Sequence, residues 1–597
     1  MSKGTREESK IMSKKFISAV MAAALLAGCL GSCGKEIETN TDVYLELTTN
    51  GEDITSDDEN AEHKTAPVPV IVEVKEDEKS YSEVKITPSE VKYTAFDETY
   101  QAEDGAVSGN AVTADSRKGF KEKGYVTNIT AEDEWKLTFK VPASQFYNLT
   151  LTMAADSESL GGISVNGVKL SEFKVSSAGR FEATTFRNVK LKEGENTLSI
   201  IPSQTTFDLD QVRVTASEDI SKMTLKITGA QLSDNNAGYN ARALYNFICD
   251  NSGSKIILGQ NDTAGTSYES ELIHKVTGKY PAIRMGDLMY VTDETHAEQS
   301  AAELDTALEW YKNGGIVSYM WNWTSPAKRS DAASVYAQNA EFDIKNAVTD
   351  EDIANMDIEE IEELADYGDI SQECLELIYD IDKASAALKK LTDEGAAVIW
   401  RPLQEASNGQ FWWGTDQDAY LWLWKTMYIR MTEHNGLHDL IWVWSAQNTD
   451  WFVGGEYCDV LSADIYGAGK GSQVNTLLYL QSIAPGKPVA MSECDNLPQI
   501  QSLADERAMW SYIGQWGGNY LVDDSGKLSQ EFNTETDLVT IYNNDLTITR
   551  DKIPDLKAAA QALVKADAQS EEKTDSEEEN SDEENGDEPE VTENYAE

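Results

Sequence analysis

Histidine, cysteine and positive charge are all scarce in this chain of 597 residues. Its five histidines leave little material for histidine-ligated metal sites or for a Ser-His-Asp triad. The cysteines beyond residue 33 are widely spaced and form no CxxC pair, so buried thiols are expected, with one disulfide bridge as the alternative. The 50 Lys plus Arg against 104 Asp plus Glu give a net charge of −54, which disfavours nucleic acid and anionic membranes as partners. Carboxylate chemistry on a neutral substrate becomes the default.

Residues 1–33 are typical of an export signal, with a basic start, a short apolar run and small residues at the end. The apolar run is too short to span a bilayer comfortably. The segment Leu26-Ala27-Gly28-Cys29 resembles the lipobox of bacterial lipoproteins, which implies acylation of Cys29. Cys33 is a second candidate, and a simple secretory signal is the alternative. We therefore expect an extracellular, cell-surface or secreted protein that touches the membrane only through an N-terminal lipid anchor.

Polar, acidic segments flank the folded part of the chain. Residues 34–90 are rich in Thr, Glu, Asp and Asn and are predicted to be a solvated stalk. Residues 554–597 are predicted to be a disordered acidic tail, because residues 567–597 carry 15 acidic side chains and one lysine. A further acidic block, Asp350–Glu373, has apolar spacing that predicts a solvated helix and loop inserted in a domain.

The sequence texture changes once between these segments, near residue 220. Residues 91–217 contain short alternating runs separated by Gly, Asn and Ser turns, which predicts a β-sandwich. Residues 222–553 alternate apolar strands with amphipathic helices, which predicts an α/β fold with parallel strands. Eight strands can be counted, favouring a (β/α)8 TIM barrel; an open doubly wound sheet is the alternative, but no Gly-rich cradle follows the first strand. The predicted strands are Ile256–Gly259, Ala282–Asp287, Ile316–Trp321, Ala397–Leu403, Leu440–Trp444, Val460–Tyr466, Val489–Glu493 and Trp510–Trp516.

Two glutamates stand at the carboxyl ends of predicted barrel strands, where the active sites of such barrels lie. Glu405 follows the fourth strand and Glu493 ends the seventh, so their side chains can converge across the barrel mouth. Glycosidic cleavage uses such a pair, one acid protonating the leaving oxygen while one carboxylate attacks or activates water. In a chain with so many acidic residues, a single glutamate is expected to lie on the surface. The two residues are candidates because both stand at predicted strand ends.

Aromatic residues also cluster at the strand ends. Trp321 ends the third strand, Trp412 and Trp413 follow Glu405, and Tyr466 ends the sixth strand. Pyranose rings present apolar CH faces that stack on aromatic planes, whereas core packing is the alternative for each ring. We expect substrate contacts from Trp321, Asn322, Arg401, Gln404, Trp412, Trp413, Trp444, Tyr466 and Trp516.

Residues 222–553 resemble glycoside hydrolase family 26, best known for β-mannanases. The motifs that carry the resemblance are Arg401-Pro402-Leu403-Gln404-Glu405, Phe411-Trp412-Trp413-Gly414, Gly314-Gly315-Ile316-Val317 leading to Trp321, Ile441-Trp442-Val443-Trp444-Ser445, Asp464-Ile465-Tyr466 and Ser492-Glu493-Cys494. The resemblance implies retaining endo-cleavage of β-1,4-mannan without a cofactor, with Glu405 as acid/base and Glu493 as nucleophile. Retention requires carboxyl groups about 5–5.5 Å apart. Glu493 is expected to be ionised near Arg401 and Tyr466, and Glu405 to stay neutral until it donates its proton.

Three positions depart from the pattern of the family. Asn322 and Gln404 stand where histidines are usual, and Gln410 stands where an aromatic residue is common. These changes bear on rate and subsite preference more than on reaction class. They leave two alternatives open: a non-catalytic mannan-binding lipoprotein, and a β-glucanase or β-xylanase of the same family.

The sandwich resembles carbohydrate-binding module family 35, with family 6 close behind. The resemblance rests on Tyr100-Gln101-Ala102-Glu103-Asp104, Gly124-Tyr125-Val126 and Phe207-Asp208-Leu209-Asp210-Gln211-Val212. It implies a structural Ca²⁺ held by Glu103 and Asp210, with an empty module as the alternative. Trp135 and Tyr125 are the sugar-stacking candidates. The whole chain is expected to act as a monomer on β-mannan.

Overall fold

The computed structural model describes residues 81–89, 93–130, 133–202, 206–217, 227 and 231–583, the last with side chains to residue 569. The export segment with Cys29 and Cys33, most of the predicted stalk and residues 584–597 lie outside these described residues. Over the described ranges, no helix is both long enough and apolar enough to cross a bilayer.

The N-terminal module is a sandwich of two antiparallel sheets. One sheet has the order β3-β4-β11-β6-β9, with β1 also paired to β11, and the other has the order β2-β5-β10-β7-β8. Alternation builds its core: in β5 the apolar side chains are buried and the lysines between them are exposed. The strands are β1 (Asp97–Gln101), β2 (Ala106–Val107), β3 (Val112–Ala114), β4 (Tyr125–Thr127), β5 (Trp135–Val141), β6 (Gln145–Ala154), β7 (Ser159–Val165), β8 (Val168–Val175), β9 (Glu182–Leu191), β10 (Gly194–Pro202) and β11 (Asp208–Ala216).

The C-terminal domain is a closed parallel barrel, which confirms the predicted fold class. Strands β12 to β19 follow one another around the ring, and β12 pairs with β13 to close it. A short strand, β20 (Thr547–Ile548), adds to β12 outside the ring. The barrel strands are β12 (Ile256–Asn261), β13 (Ile283–Asp287), β14 (Ile316–Met320), β15 (Val398–Arg401), β16 (Leu440–Trp444), β17 (Val460–Ile465), β18 (Val489–Cys494) and β19 (Tyr512–Gln515).

Amphipathic helices surround the barrel. In the acidic block, Asp357 caps a helix that buries Ile361 and Ala365 and leaves its glutamates outside. The helices are α1 (Tyr239–Asn251), α2 (Tyr268–Thr277), α3 (Ala297–Lys312), α4 (Ile358–Tyr367), α5 (Gln372–Thr392), α6 (Gln417–Ile429), α7 (Val474–Ile483), α8 (Ile500–Glu506), α9 (Glu535–Tyr542) and α10 (Leu556–Glu583). Four cysteines, Cys249, Cys374, Cys458 and Cys494, are buried free thiols, as expected.

The C-terminal tail does not begin where the sequence suggested. Instead of disorder from residue 554, helix α10 covers Leu556–Glu583 and packs on α1. Ala560 is buried in this contact, and Arg242 pairs with Asp567 at 2.7 Å. The alanine-rich start of the segment supplies helix propensity and a small packing face, which the acidic composition of the later residues obscured.

The end of the predicted stalk is also ordered. Residues 81–89 form a strap on the barrel, where the Val84 amide donates to Asn543 O at 2.7 Å and the Asp545 amide donates to Val84 O at 3.1 Å. The Ser89 hydroxyl donates to Asp505 at 3.0 Å. These bonds use mostly backbone groups, which leave no trace in composition, so placing the whole range 34–90 in a solvated stalk was wrong for these residues.

The module lies directly against the barrel through β8, β9 and helix α7. The Lys190 ammonium pairs with Glu506 at 2.8 Å and lies over the Phe146 ring. The Lys190 backbone exchanges two hydrogen bonds with the Asn475 side chain, at 2.9 and 3.1 Å. The two domains therefore share an interface with an ion pair, a cation–π contact and paired hydrogen bonds.

Candidate active site

Glu405 stands on a sharp turn directly after β15. Leu403 and Glu405 both have left-handed backbone conformations, with φ of 54° and 51°. Each costs about 1–2 kcal/mol for a residue with a Cβ, so the surrounding contacts must hold the turn. One of them is the Glu405 amide, which donates to Ser445 O at the end of β16 at 3.2 Å. The turn places the Glu405 side chain at the barrel mouth.

Glu493 lies on β18 and is held by two donors. The Arg401 guanidinium, on β15, donates to Glu493 Oε1, and the Tyr466 hydroxyl donates to Oε2 at 2.7 Å. Arg401 also donates to Asp464 Oδ2, on β17, at 2.9 Å. One cationic and one neutral donor therefore fix the orientation of the Glu493 carboxyl group.

The two glutamates meet across the mouth. One carboxylate oxygen from each of Glu405, Asp464 and Glu493 lies within 4.8 Å of the others. Oxygens this close allow the two glutamates to act on one glycosidic bond, one as nucleophile and one as acid/base. Three carboxylates so close also resemble a cation site, but Arg401 already supplies positive charge to two of them.

Burial changes the pKa of two of these acids in the same direction. Burial, and then the negative charge of Glu493, raise the pKa of Glu405 to about 7, while Arg401 opposes the shift. Glu405 thus holds a proton up to near neutral pH. Burial also raises the pKa of Asp464 well above its usual range, against the effect of Arg401.

A chain of amides leads from β13 to the residue preceding Glu405. Asp287 accepts hydrogen bonds from the Asn322 amide and side chain at 2.9 and 2.8 Å. Asn322 Oδ1 in turn accepts from Gln404 Nε2 at 2.8 Å. Gln404 Oε1 is buried without a protein partner, so an acceptor is left for a ligand hydroxyl. Burial raises the pKa of Asp287 to about 6.

Most of the aromatic residues proposed for sugar stacking are instead core residues. Trp321 stacks on Trp323 with ring centroids 4.0 Å apart, and Trp413 stacks on Phe411 at 4.6 Å. Trp321, Trp412, Trp413 and Trp444 are each 0% exposed, so no ring face is open to a sugar. Their indole groups hold the loops of the mouth: the donors in Trp412, Trp413 and Trp444 bond backbone oxygens.

The remaining predicted contacts divide in two. Tyr466 and Trp516 are partly exposed. Asn322 and Gln404 lie in the amide chain, whereas Arg401 is 2% exposed and lies beneath the carboxylates, so it supports Glu493 rather than contacting the sugar directly.

The module candidates divide in the same way. Trp135 is fully buried and donates to Ala102 O at 2.8 Å, and Tyr125 is buried beside Ser116, so neither ring offers a stacking face. Glu103 and Asp210 do lie together. Both oxygens of Glu103 and one of Asp210 are buried without a hydrogen-bond donor.

The sequence analysis missed three residues of this site. Asp464 was seen only as part of a motif, although its position two residues before Tyr466 places it at a strand end. Asp287 ends β13 and carries the same signal. Asn408 contacts Glu405 from the following loop, where no strand pattern points to it.

Comparison with known proteins shows the family of the chain. The family model of Glycosyl hydrolase family 26 matches residues 233–552, and that of Carbohydrate binding module (family 35) matches residues 98–217. A mannan endo-1,4-β-mannosidase of Thermothelomyces thermophilus is 30% identical over 76% of this chain and 90% of its own. The chain belongs to glycosyl hydrolase family 26.

Two solved structures of similar enzymes each cover more than three quarters of this chain. A Podospora anserina GH26-CBM35 β-(1,4)-mannanase is 29% identical with a TM-score of 0.50, covering 77% of this chain and 99% of that chain. A ruminal GH26 endo-β-1,4-mannanase is 26% identical with a TM-score of 0.55, covering 78% and 99%. This family member is therefore a glycoside hydrolase with an N-terminal carbohydrate-binding module.

Proposed function

We propose that this protein is a retaining endo-β-1,4-mannanase that acts on mannan, glucomannan or galactomannan. The observation that carries the proposal is the meeting of Glu405 and Glu493, with oxygens within 4.8 Å at the barrel mouth. The relatives named as mannan endo-1,4-β-mannosidases support the substrate class. Because both carboxyl groups are present and meet at the barrel mouth, we favour turnover over simple capture of the polysaccharide.

The first step forms a glycosyl-enzyme. An oxygen of the ionised Glu493 attacks the anomeric carbon, and the glycosidic bond breaks with its electron pair moving to the leaving oxygen. Protonated Glu405 gives its proton to that oxygen, so the product leaves as a neutral alcohol. Arg401 and Tyr466 hold Glu493 in position before the attack.

The second step returns the enzyme to its starting state. Glu405, now ionised, takes a proton from a water molecule as that water attacks the anomeric carbon, and the bond to Glu493 breaks. The sugar keeps its anomeric configuration because it is inverted twice. The reaction requires no cofactor.

We assign sugar contacts to residues with open polar atoms or ring faces. Gln404 Oε1 is a buried acceptor without a protein partner, suited to a ring hydroxyl next to the reacting carbon. Tyr466 and Trp516 keep partly exposed rings at the ends of β17 and β19. Together these groups recognise a neutral, hydroxyl-rich ring.

We expect mannohexaose to be cleaved internally, and the new reducing ends to appear first as the β-anomer. Proton NMR during the first minutes of the reaction measures the anomer, and chromatography measures product length. A first-formed α-anomer would exclude double displacement. Cellohexaose and xylohexaose serve as matched substrates, since a glucanase or xylanase would prefer one of them.

We also propose that Glu103 and Asp210 hold a structural Ca²⁺ in the module. Their donor-free, buried carboxylate oxygens are suited to a hard cation. Burial, with the neighbouring Glu103, raises the pKa of Asp210, which is the response of carboxylates that lack a counter-charge. Bound calcium would supply that charge.

Removal of calcium is expected to lower the melting temperature of the module and to leave hydrolysis of soluble oligosaccharides unchanged. Differential scanning calorimetry with EDTA, and then with added Ca²⁺, measures the shift. Asp210→Asn should abolish the response. An identical melting curve with and without the chelator would contradict calcium binding.

For localisation, we propose an extracellular monomer attached to the membrane through acylated Cys29. The lipobox-like segment supports this placement. Metabolic labelling with a radioactive fatty acid should label the wild type, and Cys29→Ala but not Cys33→Ala should remove the label.

A further inference from the structure

Two side-chain amides from one loop contact the same oxygen of Glu405. Gln410 Nε2 donates to Glu405 Oε2 at 2.9 Å, and Asn408 Nδ2 donates to that same oxygen at 3.0 Å. Both of these hydrogen bonds therefore go to Oε2, and neither goes to Oε1. The carboxyl group is therefore asymmetric before any substrate arrives.

The loop that carries the amides is fixed to its surroundings. The Gln410 carbonyl accepts from the Ala337 amide at 2.8 Å, and Tyr336 pairs with Phe411. Gly414 packs so closely on Ala406 that a Cβ there would lie 2.2 Å from the Ala406 carbonyl oxygen. Gln410 is partly buried, whereas Asn408 is exposed. Gln410 is thus the better positioned of the two donors.

Two N–H donors on one oxygen decide where a proton can sit. An oxygen that accepts two hydrogen bonds has little room for a proton of its own. If Oε2 carried the proton, it could donate to one rotated amide at most, and the N–H group of the other would still point at it. The proton of the neutral acid is therefore favoured on Oε1.

We propose that Gln410 and Asn408 form an amide clamp that keeps the catalytic proton on Oε1 of Glu405 and sets the pH above which the enzyme loses activity. This inference rests on the proposed role of Glu405 as the acid. The two amides are positioning residues, since they act through Glu405. Gln410 thereby has a function at a position where an aromatic residue is common in the family.

The direction of the effect follows from charge. Amide donors stabilise the carboxylate form of Glu405, and so they lower its pKa, whereas burial and Glu493 raise it. Glu405 must be protonated to act as the acid, so the rate falls as pH rises through its pKa. The other titratable or charged groups that interact with Glu405 are Glu493 on β18, Arg401 on β15, Asp464 and Tyr466 on or after β17, and Tyr336 on the neighbouring loop.

The test is the pH dependence of kcat/KM on mannohexaose. For the wild type we expect the alkaline limb to be centred near the pKa of about 7. Gln410→Met keeps the side-chain length but removes the donor, and it should move this limb upward by about one pH unit, a tenfold change in proton affinity. Asn408→Leu should move it in the same direction by less, because its amide is solvent-exposed.

Ser407→Ala is the matched control. Ser407 lies in the same loop as the two amides, but its hydroxyl donates to Ala446 O after β16 and not to Glu405. In this variant the alkaline limb of the pH profile should lie at the same pH as in the wild type.

Each outcome decides the inference. A limb that stays in place or moves downward in both amide variants would overturn the clamp, as would a loss of kcat without any movement of the limb. Asn408 is exposed, so its variant remains informative if Gln410→Met folds poorly. An inactive wild type would instead overturn the proposed function, which separates the two failures.

Discussion

Glu493→Gln is expected to abolish mannan hydrolysis while leaving the protein folded and able to bind mannan. The amide keeps the shape of the side chain but cannot form a stable ester with the sugar, so kcat should fall by about 10³-fold or more. Arg401 keeps its second partner, Asp464, so the charge cluster is not broken. Reducing-end release and affinity electrophoresis on galactomannan measure the two properties separately.

Glu506→Gln is the matched control for this substitution. It makes the same chemical change at the interface of module and barrel, where Glu506 pairs with Lys190. Its kcat should equal that of the wild type. Equal turnover by Glu493→Gln and the wild type would remove Glu493 from the mechanism and leave sugar capture as the function.

The second large effect concerns Arg401. Arg401→Met leaves the buried carboxylates of Asp464 and Glu493 without their cation, and breaking a buried ion pair by removing one partner costs about 3–5 kcal/mol. Urea unfolding of the isolated variant measures the loss in free energy of unfolding. Activity should also fall, because Glu493 loses the donor that orients it.

The pH dependence of Arg401→Met gives a second check. Burial raises the pKa of Asp464 and the Arg401 charge opposes that shift, so without the cation the pKa of Asp464 should rise further in the folded state. A group with a raised pKa in the folded state costs stability as pH rises above its unfolded value, near 4. The loss in free energy of unfolding of Arg401→Met relative to the wild type should therefore become smaller as the pH falls towards 5. Adding Asp464→Asn should recover part of the stability at pH 7, and failure to do so would show that charge is not the cause.

The barrel and its two glutamates were predictable because their signals are local. Each buried strand is a short apolar run, and Glu405 and Glu493 come at the ends of two of them. Parallel strands of a barrel present these ends at one mouth, so their meeting followed from topology. The motifs of the family added the roles.

Other features depend on contacts between distant segments and carry no local signal. The burial of Trp412 depends on Phe342 and Trp323, some 70 to 90 residues earlier in the chain. The position of Trp412 near a strand end predicted a ring face open to a sugar, but the packing of other side chains buries this ring. The amide clamp was also hidden, because Asn408 and Gln410 lie in a polar loop like many others.

The strap at residues 81–89 determines how the module can move. The chain is fixed to the barrel before it builds the sandwich, through Val84 and Ser89, and it returns to the barrel after β11. The sandwich is thus connected to the barrel at both of its ends, and not through a single linker. A force applied at the N-terminus would therefore reach the barrel before it reaches the sandwich. The position of the sugar-binding module relative to the barrel mouth would then be preserved while the protein is held on a polysaccharide.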